Sequence, residues 1–163
     1  MAQVSRLIRK TFLLSLPEGL RRRVFERFPN FRKAAPDGME FIFDRYLGSL
    51  RVNVNTRFPL ERIMWTGDFE PKLSMLIQQR LAPGSVCIDV GANVGAITLA
   101  LAKHVGGAGR VIAMEPAPPP FARLKANLEL NPEISARVTA VNAGAGSEAA
   151  TLYWTEVAPG NGA

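Results

Sequence analysis

The sequence predicts an α/β fold: a partial Rossmann-like, doubly wound parallel sheet with three core strands, preceded by a helical arm and a β-hairpin. Three observations predict it. From Val86 onward, short apolar runs alternate with amphipathic stretches of helical spacing, giving strand, helix, strand, helix, strand. Between Phe41 and Val54 the apolar period is two, that of half-buried strands. The stretch "CIDVGANVGAIT", Cys87 to Thr98, joins the first core strand to its helix through a glycine turn, as in many proteins that hold a nucleotide.

The totals suit that fold. A chain of 163 residues, 47% hydrophobic and 21% charged, is an ordinary globular chain with a core of its own. Its single cysteine, Cys87, leaves no intramolecular disulfide, so a reducing, cytoplasmic setting is the default expectation. The net charge of +6 is uneven: residues 1–33 hold nine Lys/Arg against Glu18 and Glu26, and the rest of the chain is close to neutral. The arm's longest apolar run, Phe12 to Leu14, ends at Ser15, far short of a secretion-signal core or a membrane span of about 20 residues.

Each element has its reason. In the arm, residues 1–35, Val4, Leu7 and Ile8 and then Leu20, Val24 and Phe28 recur at helical spacing on either side of Pro17-Glu18-Gly19, with Arg21, Arg22 and Arg23 between. A solvated basic face is the first reading of that arm, weak contact with an anionic membrane or a partner the second. Nucleic acid ranks last, because arginines and aromatics are not interleaved as a single-strand binder needs. Residues 36–68 read as the hairpin and a connector: Phe41 and Phe43 alternate with polar neighbours, as do Leu50, Val52 and Val54, with Gly48-Ser49 as a two-residue turn.

A helix follows from about Glu70, with Pro71 in its first turn and Leu73, Leu76 and Ile77 on one face, ending before Pro83-Gly84. Val86 to Val90 reads as a buried strand, and Val94 to about Val105 as a helix with Val94, Ile97, Thr98 and Leu101 inward. Arg110 to Met114 is the second strand, and a helix from about Pro119 presents Phe121, Leu124 and Leu128. The third strand runs from about Arg137 to Asn142, and Ala149 to Thr155 is a candidate for one more.

Three ligands compete for the glycine turn. A P-loop closes on Lys then Ser/Thr, and no lysine occurs between Gly91 and Ala102. A dinucleotide fold uses a second glycine where this chain has Asn93. S-adenosylmethionine carries an ammonium, a carboxylate and a sulfonium, so its turn needs close backbone and an acceptor for positive charge. Asp89 at the strand end is such an acceptor, and the helix N-terminus near Asn93 offers amides to a negative oxygen. Glu115 ends the second strand, where an acid can accept both hydroxyls of a ribose, as it would for NAD too.

The motifs "DVGANVG" (Asp89 to Gly95) and "EPAPPPFARLKANLELN" (Glu115 to Asn131) together resemble the FkbM family of class I methyltransferases. That family's pattern is D-x-G-A-N-x-G, then E-P-x-P, then spaced Leu and Asn. The lead-in "GDFEPKLSMLIQQRLAPGSVCIDVG" is similar to the family's Glu-bearing helix and Pro-Gly turn, so the likeness runs from about Phe69 to Trp154. The resemblance implies that Asp89, Gly91, Asn93 and Gly95 form the methionine side of an S-adenosylmethionine pocket. It implies that Glu115 holds the ribose, that Pro116 shapes the turn behind it, and that Asn142 and Ala143 lie near the adenine.

Structural roles stand beside these. Asp89 could cap its helix, Gly91 and Gly95 could be turn and packing glycines, and Asn142 could form a turn. Glu70 could reach the site, with helix capping the preferred reading. His104 is expected at a helix C-terminus rather than in catalysis, and Cys87 in the core. One His, one Cys and dispersed carboxylates do not match metal-ligand spacing.

The family's sheet has seven strands, and its fourth-strand segment, an acidic residue followed by Glu-Gly, is absent from this sequence. The expectation is therefore that residues 69–163 are the N-terminal half of a methyltransferase domain in a truncated chain, without catalytic residues and inactive alone. The reaction implied is O-methylation of a small-molecule or sugar hydroxyl. The alternatives are an NAD-dependent oxidoreductase half-domain and a non-catalytic module binding a membrane or partner through its arm.

Overall fold

The computed structural model describes residues 40–66, 71–151 and 153–155, with the isolated positions 16, 17, 20 and 38. The helices and membrane contact expected of the basic arm lie, but for those positions, outside the described residues, as does Glu70. In chain order come β1 (Glu40–Tyr46), β2 (Leu50–Asn55), α1 (Pro59–Thr66), α2 (Pro71–Arg80), β3 (Val86–Val90), α3 (Ala96–Val105), β4 (Arg110–Met114), α4 (Pro118–Glu129), α5 (Pro132–Ser135) and β5 (Val138–Val141). No helix among the described residues is long and apolar enough to cross a membrane.

The fold class is the one the sequence predicts. β3, β4 and β5 form a parallel sheet in that order, with Cys87 opposite Val111, Asp89 opposite Ala113 and Met114 opposite Val141. Parallel neighbours need a long crossover, and α3 and α4 supply the two. Leu99, Ala102 and Val105 of α3 and Leu124 and Leu128 of α4 join Cys87, Val111 and Ala113 in one buried cluster. The expectation of a wholly buried first strand fails: Val86, Ile88 and Val90 are 70%, 62% and 60% exposed. The core lies against the opposite face, that of Cys87 and Asp89, and among the described residues β3 pairs only with β4.

The hairpin shares this core, with Phe43, Tyr46, Leu50, Val52 and Val54 all buried. Its connection is longer than the two-residue turn expected. Leu47, Gly48 and Ser49 form it, Leu47 and Gly48 take positive φ (49° and 88°), and the amides of Gly48 and Ser49 donate to the carbonyls of Arg45 and Tyr46. An irregularity in register between Phe43 and Tyr46 breaks the alternation and turns Tyr46 inward, where its hydroxyl donates to the Ala96 carbonyl at 3.0 Å. Lys103 of α3 donates to the Leu47 carbonyl at 2.5 Å and to Ser49 Oγ at 3.1 Å.

Among the described residues the far edge of β2 has no strand beside it, and side chains take a strand's place. Asn131 pairs both ways with Arg51, accepting its N–H at 2.9 Å and donating to its carbonyl at 2.6 Å. Asn127 accepts the Asn53 N–H at 2.7 Å, and Glu61 accepts the Asn55 N–H at 2.5 Å. For the two asparagines the spacing fits: Asn127 is near the end of α4 and Asn131 just past it, about 6 Å along if the helical rise is continued, close to the roughly 6.8 Å between alternate residues of a strand. Arg123 completes the arrangement, its Nε and Nη2 each 2.6 Å from the two oxygens of Glu61, which is 1% exposed.

Three further elements depart from expectation. α1 stands where a connector was expected, begun by Pro59 and anchored by buried Met64 and Trp65, with Trp65 edge-on to Phe41 at 5.6 Å. On α2 Ile77 is buried but Leu76 is about half exposed, because the helix meets α3 along a narrow stripe. Residues 149–151 and 153–155 are not a strand, since nothing described lies beside them to complete a ladder.

Removing one partner of a buried pair strands the other charge. Arg123→Met should therefore cost about 3 kcal/mol or more of unfolding free energy. Asn131→Ala, which leaves the Arg51 backbone unpaired, should cost about 1–3 kcal/mol. Urea midpoints at unchanged slope measure both, and a neutral Arg123→Met would show that Glu61 does not depend on its partner.

Candidate functional site

The turn after β3 concentrates unusual backbone: Gly91, Asn93 and Gly95 have φ of 81°, 51° and 90°. Asparagine is among the few side-chain-bearing residues at ease in that region, so Asn93 performs the backbone task of a glycine and adds a polar side chain. The amides of Gly91 and Ala92 both donate to the Met114 carbonyl at 2.9 Å, fastening the turn to the end of β4. A Cβ at Gly91 would meet no atom within 4 Å, so this glycine faces open space. A Cβ at Gly95 would lie 2.5 Å from Leu124 Cδ1, so Gly95 is buried and lets α4 approach.

Two carboxylates end adjacent strands beneath this turn. Asp89, 7% exposed, accepts the Thr98 hydroxyl at 2.6 Å. Glu115, equally buried, accepts the Asn93 amide on Oε2 at 2.8 Å and the Ala117 amide on Oε1 at 2.9 Å. The Asn93 amide, expected to meet a negative oxygen of a ligand, is thus given to Glu115. Burial pushes the Asp89 carboxyl above its ordinary range, the Thr98 hydrogen bonds oppose that, and the charge of Glu115 adds to it. Among the described residues neither carboxylate has a basic partner within salt-bridge distance.

The remaining expected residues sort themselves by what they touch. Asn142 donates from Nδ2 to the carbonyls of Glu115 (2.8 Å) and Pro116 (3.1 Å), which makes it the brace of that turn. Ala143 lines a cavity of about 1020 Å³ with Pro116, Ala117, Asn142 and the later residues Tyr153 and Trp154. His104 meets the Leu81 carbonyl through Nε2 at 2.7 Å, tying α3 to the segment after α2. Cys87 is a buried free thiol whose pKa burial pushes up. A second cavity, of about 570 Å³, lies between Asn93, the starts of α1 and α4, and Trp154.

Sequence reasoning missed the role of Thr98, placed inward without a partner. Its hydroxyl on an otherwise apolar helix face, nine residues after Asp89, was the available signal. It missed Arg123 and Glu61 too, since their pairing spans 62 residues and no local spacing announces it.

The fold and the turn define the class: an α/β protein with a partial Rossmann-like sheet and a cleft at the carboxyl ends of its strands. No family model matches the chain, and no curated protein matches it. Among solved structures, a candidate rRNA methylase from Clostridium thermocellum is similar at 25% sequence identity with a TM-score of 0.42. That likeness covers 45% of this chain and 39% of the other, so the chain spans well under half the length of that protein.

The two turn glycines should separate in mutation. Gly91→Ala has room and should cost only the left-handed strain, about 1–2 kcal/mol. Gly95→Ala meets Leu124 as well and should cost a further 1–3 kcal/mol or so; equal losses in thermal unfolding would contradict the packing role.

A raised native pKa means that the folded state favours protonated Asp89, so its contribution falls as pH rises from 3.8 through the native value. Asp89→Asn, which keeps an acceptor for Thr98, should therefore gain on the natural chain across that window and hold the gain at pH 7. Urea midpoints over a pH series measure this, and a natural chain that gains with pH instead would reverse the sign.

Proposed function

We propose that the protein is the cofactor-binding part of an S-adenosylmethionine-dependent methyltransferase, similar to the FkbM family, that methylates a hydroxyl oxygen of a small molecule. The observation that carries this reading is the pair of buried carboxylates, Asp89 and Glu115, without a basic partner among the described residues, beside a turn left open at Gly91. Buried charge without a counter-charge is costly, and a cationic ligand relieves it. A pyrophosphate would bring more negative charge to the same place, and the Asn93 amide that could greet it is already held by Glu115.

S-adenosylmethionine supplies an electrophilic methyl group on a sulfonium, taken by an acceptor oxygen in an in-line displacement. In this reading Asp89 receives the ammonium end, with Thr98 fixing the carboxylate's orientation. Each oxygen of Glu115 spends one lone pair on a backbone amide and keeps a second for a ribose hydroxyl. Asn142 holds the Glu115–Pro116 turn in place, and Ala143 forms a wall small enough for a flat base to lie against. The protein's task is chiefly positioning, which such rigid hydrogen-bonded turns suit.

Calorimetric titration of the full chain tests the proposal. S-adenosylhomocysteine and S-adenosylmethionine should bind more tightly than NAD. Glu115→Gln should weaken them by about 1.5–3 kcal/mol, the range for a hydrogen bond to a charged group. Tighter binding of NAD would overturn the reading in favour of an oxidoreductase half-domain.

A further inference from the structure

The cavity between the starts of α1 and α4 has no part in holding the cofactor in the reading above, yet it abuts the same turn through Asn93 and Val94. Its size, about 570 Å³, suits a small organic molecule. Two helices begin at its wall, which would ordinarily make it a place for phosphate. At α4 the prolines forbid that: the helix opens Pro118-Pro119-Pro120, so its first-turn positions lack the N–H groups an anion would take, and Pro59 removes one more at the start of α1.

What the prolines leave is a rigid apolar wall, and two aromatic side chains extend it. Phe58 and Trp154 line the cavity, each 46% exposed. The Phe58 ring is held in place by the Arg123 guanidinium, 5.6 Å from its centroid. Arg123 itself offers little to a ligand, being paired with Glu61 and Glu40. Arg57 also lines the cavity, and its guanidinium has no acidic partner among the described residues. One free cation beside a flat apolar slot is a receptor for a ring bearing a single anionic group.

We propose that this cavity binds a flat, ring-bearing hydroxy acid, its carboxylate on Arg57 and its ring between Phe58, Trp154 and the α4 prolines. Its place beside Asn93 makes that acid the methyl acceptor, and only this assignment of role rests on the methyltransferase reading. In that role the hydroxyl oxygen gains the methyl carbon, the carbon–sulfur electron pair stays on sulfur, and the hydroxyl proton passes to water at the cavity mouth.

The test titrates the full chain with 4-hydroxybenzoate, phenol and inorganic phosphate by calorimetry, and separately with S-adenosylhomocysteine. 4-Hydroxybenzoate should bind more tightly than either fragment. Arg57→Gln should weaken it about tenfold or more while leaving S-adenosylhomocysteine unchanged; Arg57→Lys, which keeps a cation, should lose less. Lys125→Gln, on exposed α4 surface, should change nothing. Phosphate binding as tightly as 4-hydroxybenzoate would overturn the ring contact, and phenol doing so would overturn the role of Arg57. 4-Hydroxybenzoate bound without S-adenosylhomocysteine would keep the site and remove the methyltransferase reading, while the converse would remove the site.

Discussion

The structure depends on how the open edge of β2 is satisfied. A two-stranded hairpin exposes a row of backbone donors and acceptors, and burying them against helices without partners would cost more than the packing returns. Asn131, Asn127 and Glu61 supply those partners at Arg51, Asn53 and Asn55. Asn127 in α4, Asn131 just beyond its end and Glu61 of α1, which Arg123 of α4 grips, tie α4 to β2 at several points and so oppose its sliding or rotating. With α4 fixed, Leu124 enters the notch at Gly95, and the α4 prolines stand opposite Asn93. The position of the cleft is thus set by hydrogen bonds some distance from it.

Glu115 plays a comparable part inside the cleft. By taking an amide from each of two turns, one after β3 and one after β4, it joins the carboxyl ends of neighbouring strands. A side chain used in this way is positioned before any ligand arrives, which favours binding because little ordering remains to be done. Asn127 repeats the logic on the other flank, donating to the Val94 carbonyl at 2.8 Å while it accepts from β2, so turn, helix and hairpin share one residue.

Much of this was legible in the sequence because its signals are local. Strand and helix periods placed β3, α3, β4, α4 and β5, and the turn residues that need positive φ are two glycines and the asparagine that tolerates it. The spaced asparagines stood out as a pattern, yet nothing local said that their amides face a strand edge 74 to 80 residues earlier. α1 was illegible for a similar reason. Its eight residues are held by Glu61 meeting Arg123 and by Trp65 meeting Phe41, interactions that exist only once the chain has folded. Burial of β3 was overestimated because an apolar run looks the same whether one face or both are covered.

The sealed edge of β2 also bears on how the chain behaves among its own copies. Strand addition needs a row of unmatched amides and carbonyls, and on β2 the asparagines and Glu61 have already taken the amides of Arg51, Asn53 and Asn55 and the Arg51 carbonyl, as a designer guarding against fibrils would arrange. β3 has no such guard among the described residues: its outer edge is unpaired and Val86, Ile88 and Val90 stand exposed beside it. Strand addition from another copy would find its open amides and carbonyls at β3 rather than on the hairpin, and charged substitutions at Val86, Ile88 or Val90 would oppose it.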